Sequence, residues 1–66
     1  MDEIHYEIAG VMKRARIRIN RHCPDDQSQS YSLARIEEDF CTVFRPMAAF
    51  KRSTFLRACG RTEEEI

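Results

Sequence analysis

Apolar residues at Ile4, Ile8, Val11, Met12, Ala15 and Ile19 recur at the three- and four-residue steps that bring side chains onto one face of an α-helix. At 100° per residue the six fall within an arc of about 100°, and Lys13, Arg14, Arg16, Arg18 and Arg21 occupy the rest of the wheel. Asp2, Glu3 and Glu7 stand at the start of this segment and the basic residues at its end, the distribution a helix macrodipole favours. The five residues from Ala15 to Ile19 also alternate like a strand, but a stripe over sixteen residues outweighs an alternation over five. The pattern predicts a helix from Asp2 to about Asn20.

Arg21 to Ser30 reads as a loop, with turn chemistry at Pro24-Asp25-Asp26 and a polar Gln27-Ser28-Gln29-Ser30 run. Ser30 or Ser32 is then positioned to cap a second helix, since a serine oxygen accepts the free amides of a first turn. Leu33, Ile36, Phe40 and Val43, with Phe44 beside it, form a heptad-like seam, and Glu37, Glu38 and Asp39 are expected to point away from it. Pro46 disfavours helical geometry at Arg45 and ends the segment there. A third helix is predicted to start between Met47 and Lys51 and to end at Cys59, with Phe50, Phe55, Leu56 and Cys59 as its apolar side. Gly60 follows as a left-handed C-terminal residue. Residues 61–66 read as a flexible acidic tail beyond a single helical domain spanning 1–60. The expected fold is all-α, three helices in a small domain, the second and third forming an antiparallel hairpin.

Length and composition narrow the function classes. Sixty-six residues with two Gly and two Pro leave no room for a nucleotide-binding α/β fold or a deep substrate cleft. The formal net charge is zero, with eleven basic and eleven acidic residues. That sum hides a polarity: residues 1–22 carry +2, residues 23–44 carry −4 and residues 45–66 carry +2. Nine of the eleven basic residues are Arg, the side chain suited to bidentate contacts. No apolar run approaches a membrane span and no secretory signal opens the chain, so a cytoplasmic protein with reduced Cys23, Cys41 and Cys59 is expected.

The chemistry-bearing residue types lack productive spacing. His22-Cys23 has no second ligand pair two to four residues away, so no metal is expected. Adjacent His and Cys side chains diverge, the carboxylate pairs have no pocket, and two glycines build no phosphate-binding loop. Neither catalysis, a cofactor nor a small-molecule substrate is expected. An interfacial membrane helix is disfavoured because the first helix needs its stripe for the core. Two binding readings remain. In the first, a protein partner, either a host protein or a second copy in a homodimer, meets Arg14, Ile17, Arg18 and Arg21, or the aromatic region of Phe44, Met47 and Phe50. Ile17 is the sharper sign, an apolar β-branched residue ringed by arginines. In the second, a helix-turn-helix of the last two helices presents Lys51, Arg52 and Arg57 to nucleic acid as a small transcriptional regulator.

Phe50-Lys51-Arg52-Ser53-Thr54-Phe55-Leu56-Arg57-Ala58-Cys59-Gly60 resembles the C-terminal F-x-R-x-x-F-L-x-A-C-G pattern of short proteins from bacteriophages and bacterial mobile elements. The likeness covers residues 33–60. Where that pattern commonly has Asp after the first Phe, this chain has Lys51, which removes a helix cap. The resemblance implies a phage or mobile-element origin and brings no activity of its own; by analogy with small phage proteins it favours the first reading, a protein that modulates or inhibits a host complex by occupying its surface.

Overall fold

The first helix, α1, runs Glu3–His22, with Asp2 in extended geometry ahead of it. The amide of Asp2 donates to Nδ1 of His5 at 3.1 Å, so a side chain inside the first turn closes the helix start. Glu3 in the first turn and Arg21 and His22 in the last complement the helix dipole. The computed structural model describes residues 1–25 and 27–66. Within them the fold is all-α, with three helices, a 3-10 turn at Glu63–Glu65 and no strand.

The second helix, α2, runs Gln27–Phe44 and therefore starts earlier than the sequence suggested. Gln27 to Ser30 are helical, and Ser30 and Ser32 lie inside the helix rather than capping it. Glutamine and exposed serine cost little in a helix, and the added turn brings α2 close to the length of α1. Pro24 and Asp25 do form a turn, and Asp26 lies outside the described residues. The stop before Pro46 is as expected: α2 ends at Phe44, and turns closed by Met47 N to Phe44 O and Phe50 N to Met47 O carry the chain onward. The third helix, α3, is Arg52–Ala58. Lys51 sits at its N-cap and supplies no side-chain cap, consistent with its lack of an acceptor.

α1 is the element against which both other helices pack. This arrangement rotates the buried face relative to the predicted stripe. On α1 the buried positions are His5, Ala9 and Met12, and Arg16 continues the same line. Ile8, Ala15 and Ile19 are only partly covered, and Ile4 and Val11 are exposed. One flank of α1 meets α2 and the other meets α3, so the centre of burial falls between the two contacts. α2 is shifted likewise: Leu33, Glu37, Cys41 and Phe44 are buried, Phe40 is partly covered, and Ile36 and Val43 are exposed. Glu37, expected to point outward, is fully buried. Phe55, Leu56 and Cys59 of the third segment are fully buried, as their spacing predicted.

At one end of the core His5 is enclosed by aromatics. Its ring lies edge-on to Phe44 at 4.6 Å and to Phe50 at 5.2 Å between centroids. Because Nδ1 accepts from Asp2, the ring proton sits on Nε2, 3.4 Å from the Met47 sulfur. Phe44, Phe50 and Phe55 close the cluster at 5.4–5.9 Å.

Gly60 adopts φ +94°, the expected left-handed residue. Gly60 N bonds Arg57 O at 3.0 Å and Arg61 N bonds Leu56 O at 3.2 Å, which together make a Schellman closure. A Cβ at this position would stand 3.4 Å from Cγ of Lys13. Gly60→Ala is therefore expected to destabilise the fold by about 1–2 kcal/mol, read as a fall in Tm of several degrees by circular dichroism. The closure also turns residues 61–66 back onto the body. Where the sequence suggested a frayed tail, the Arg61 side chain is folded against α2 and Ile66 packs against the core.

Candidate functional site

The chain's basic residues divide into those matched by carboxylates and those left unmatched. The matched set is built around Glu37. Arg16 on α1 grips this carboxylate with both terminal nitrogens, Nη1 to Oε2 at 2.7 Å and Nη2 to Oε1 at 2.8 Å. Arg61 adds Nε to the same Oε1 at 2.8 Å. The two guanidinium groups then reach main-chain acceptors: Arg16 donates to the Cys59 carbonyl at 2.7 Å, and Arg61 to the Ala34 carbonyl at 3.1 Å. One buried carboxylate thus ties α1, α2, the end of α3 and the C-terminal segment together. The Glu37 hydrogen bonds raise the Arg16 pKa above its ordinary value. Sequence reasoning missed Arg16, Glu37 and Arg61. The signal present was the i, i+4, i+8 line of Leu33, Glu37 and Cys41, which is as regular as the seam it competes with.

On α3 the basic residues are also matched. Arg52 Nη2 lies 2.6 Å from Glu38 Oε1. Arg57 forms a two-pronged contact with Glu63, Nε to Oε1 at 2.7 Å and Nη2 to Oε2 at 3.2 Å. That contact holds the Glu63 carboxyl below the usual range. Lys51 is exposed at the helix start. Arg52 and Arg57 are five positions apart and so point about 140° apart around the helix. The three residues singled out for nucleic acid do not share one face.

Arg14, Arg18 and Arg21 differ. They are exposed, and none forms an ion pair among the described residues. With Ile17 they occupy steps of three, one and three on α1, within about 100° of arc. Ile17 is 49% exposed among them. The structure thus brings together the four α1 residues that the sequence picked out. The second group is also brought together, but mostly inside the fold. Phe44 is a buried core residue, Phe50 is half-buried in the same aromatic cluster, and only Met47 is exposed. The expectation that Phe44 lines a contact surface is corrected: it is the ring that His5, Phe40, Phe50 and Phe55 all meet.

Other chemistry is sparse. A surface cleft of about 370 Å³ is lined by Glu38, Cys41, Thr42, Arg45, Phe50 and Arg52. Burial pushes the Cys41 thiol up. Burial, with Glu37 nearby, pushes Cys59 up to about 12. Both thiols are therefore protonated at neutral pH and are poor nucleophiles in that state. All three cysteines are free. Among the described residues no group of three or more His, Cys, Asp or Glu side chains is placed to hold a metal ion, and no helix is long and apolar enough to cross a membrane. No family model, no curated protein and no solved structure matches the chain.

Proposed function

We propose that this chain acts by protein–protein interaction, with the Arg14–Ile17–Arg18–Arg21 face of α1 docking on an acidic surface of a host bacterial protein and modulating or inhibiting the complex that protein belongs to. The observation carrying the proposal is the clustering of unmatched arginines: Arg16, Arg52, Arg57 and Arg61 have carboxylate partners, Arg35 and Arg45 have none among the described residues, and only the α1 face gathers three such arginines around an exposed isoleucine. Unmatched guanidinium groups around a half-exposed isoleucine suit a partner that offers carboxylates around an apolar depression. The resemblance of residues 33–60 to phage and mobile-element proteins supports the host context, and the three free cysteines suit a cytoplasmic location. The same reading keeps α2 and α3 as an antiparallel hairpin. Phe55 meets Phe44 at the end of α2, and Arg61 beyond α3 reaches back to Glu37 and Ala34, which supports that sense.

Crosslinking capture from a bacterial lysate tests the proposal. The wild-type chain is expected to retain a saturable partner that R14E/R21E and I17E each weaken by about tenfold or more, while K51E/R57E retains it. Loss in K51E/R57E alone, or micromolar binding to random duplex DNA that falls steeply with salt, overturns the reading in favour of nucleic acid.

A further inference from the structure

Four exposed aliphatic residues, Ile4 and Val11 of α1 and Ile36 and Val43 of α2, lie on one side of the molecule, away from Ile17. Val11 is 54% exposed and Val43 67%, with Ile4 and Ile36 close to half. On α1, Ile4, Ile8, Val11, Ala15 and Ile19 fall within about 80° of arc, on the flank opposite Lys13, which Gly60 beyond α3 approaches. On α2, Ile36, Phe40 and Val43 span about 60°. Ile19 and Ile36 line a common cleft with Leu33, so the two arcs meet across the helix pair. The helices are antiparallel, since His5 meets Phe44 at one end and Arg16 meets Glu37 further along. The result is a two-helix layer covered by α3 on one side and uncovered on the other.

We infer that a second copy of this chain covers that face, forming an antiparallel four-helix dimer about a twofold axis that crosses α1 near Val11. Two observations select a copy of itself, and a third shows that the face is large enough to hold one. First, the α1 stripe reads alike in both directions: its members lie seven and three residues before Val11 and four and eight after it. An antiparallel copy sets Ile4 against the second copy's Ile19, Ile8 against its Ala15 and Val11 against its Val11, the reciprocity a twofold interface demands. Second, the rim is self-complementary. Glu7 and Arg18 flank the stripe about 20–40° from Val11, acidic toward the N-terminal end and basic toward the C-terminal end. Antiparallel α1 helices place each Glu7 beside the other copy's Arg18, twice per dimer. A twofold axis along the helices instead sets α1 against the second copy's α2, bringing Glu7 toward Asp39 and Arg18 toward Arg35, like charge to like. Third, the chain exposes 4777 Å², against about 4,400 Å² for a compact monomer of this mass. A face two helices wide and about 30 Å long offers roughly 600 Å² per copy, at the lower end of standard interfaces.

This dimer stands apart from the proposed target contact. Arg14, Ile17 and Arg21 lie further round α1 and stay outward, and Arg18 borders both surfaces. Sedimentation equilibrium over a wide concentration range is the test. The wild-type chain is expected to reach twice the 7.8 kDa chain mass. V11D and V43D should weaken the dimer at least a hundredfold with helicity retained, because both side chains are exposed in the single chain. E7R and R18E should each weaken it about tenfold, and an equimolar mixture of the two should recover it as a heterodimer, since both reciprocal pairs are then opposite in charge. A monomer at every concentration overturns the inference, as does a dimer indifferent to V11D and V43D. A dimer that E7R and R18E leave unchanged overturns the antiparallel geometry. R14E/R21E should leave the dimer intact, so failure of the target contact and failure of the dimer are separately visible.

Discussion

Glu37→Ala is expected to cost about 3–5 kcal/mol, the range for removing one partner of a buried ion pair. A domain of this size holds roughly 3–10 kcal/mol in total, so a large share of the variant is expected to be unfolded at room temperature. The reason lies in what remains. Arg16 and Arg61 converge on Glu37, sharing its Oε1, and both side chains are mostly enclosed. Without the carboxylate they become two like charges in a poorly solvated site, each still needed to satisfy a main-chain carbonyl, Cys59 O or Ala34 O. Exposed pairs such as Arg57 with Glu63 lose little when broken, because water takes over both partners. Glu37→Gln should fall between wild type and Glu37→Ala, keeping an acceptor while discarding the charge. Urea denaturation followed by circular dichroism measures both. A loss below about 1 kcal/mol for Glu37→Ala would mean that water reaches the site and that the network does not hold the fold.

The same residue shows where sequence reading reaches its limit. Signals acting through the chain itself were legible: the α1 periodicity, the stop before Pro46, the buried run of Phe55, Leu56 and Cys59, and Gly60 at positive φ. Each follows from a local steric rule or from one helix considered alone. What escaped depends on the angle between helices. On α2, the lines through Leu33-Ile36-Phe40-Val43 and Leu33-Glu37-Cys41-Phe44 differ by a fraction of a turn, and only the position of α1 and α3 decides which is buried. Hydropathy favours the first line, because it has no way to count Arg16 and Arg61, 21 and 24 residues away from Glu37. His5 was obscured in the same way: a polar ring beside Ile4, it is buried because Asp2 and Met47 meet its two nitrogens. That Arg14, Ile17, Arg18 and Arg21 share an exposed side of α1 was legible because it needs only the helical period. The burial of Phe44 was not legible, because aromatic content alone cannot tell a core from a contact surface.

Phe55→Ala is expected to destabilise the fold by about 3–5 kcal/mol, through lost transfer energy and the cavity left behind. Phe55 is fully buried and meets Phe44 at 5.9 Å and Phe50 at 5.4 Å between centroids. It stands on a seven-residue helix, too short to be stable without tertiary packing. Removing the ring therefore detaches α3 as well as opening a void, and the Gly60 closure and the docking of Arg61 go with it. Met47→Ala, at a side chain partly in water, should cost less, about 1–3 kcal/mol, most of it from leaving the buried His5 Nε2 without its sulfur partner. The ratio matters for function. A binding assay that finds Phe44, Phe50 or Phe55 essential would be reading the unfolded fraction unless stability is measured on the same samples. Arg14, Ile17 and Arg21 carry no such ambiguity, because their side chains are outside the core. Thermal melts of Phe55→Ala and Met47→Ala side by side decide the matter: equal losses would mean that the aromatic end packs as loosely as a surface, and that the assignment of this region to the core is wrong.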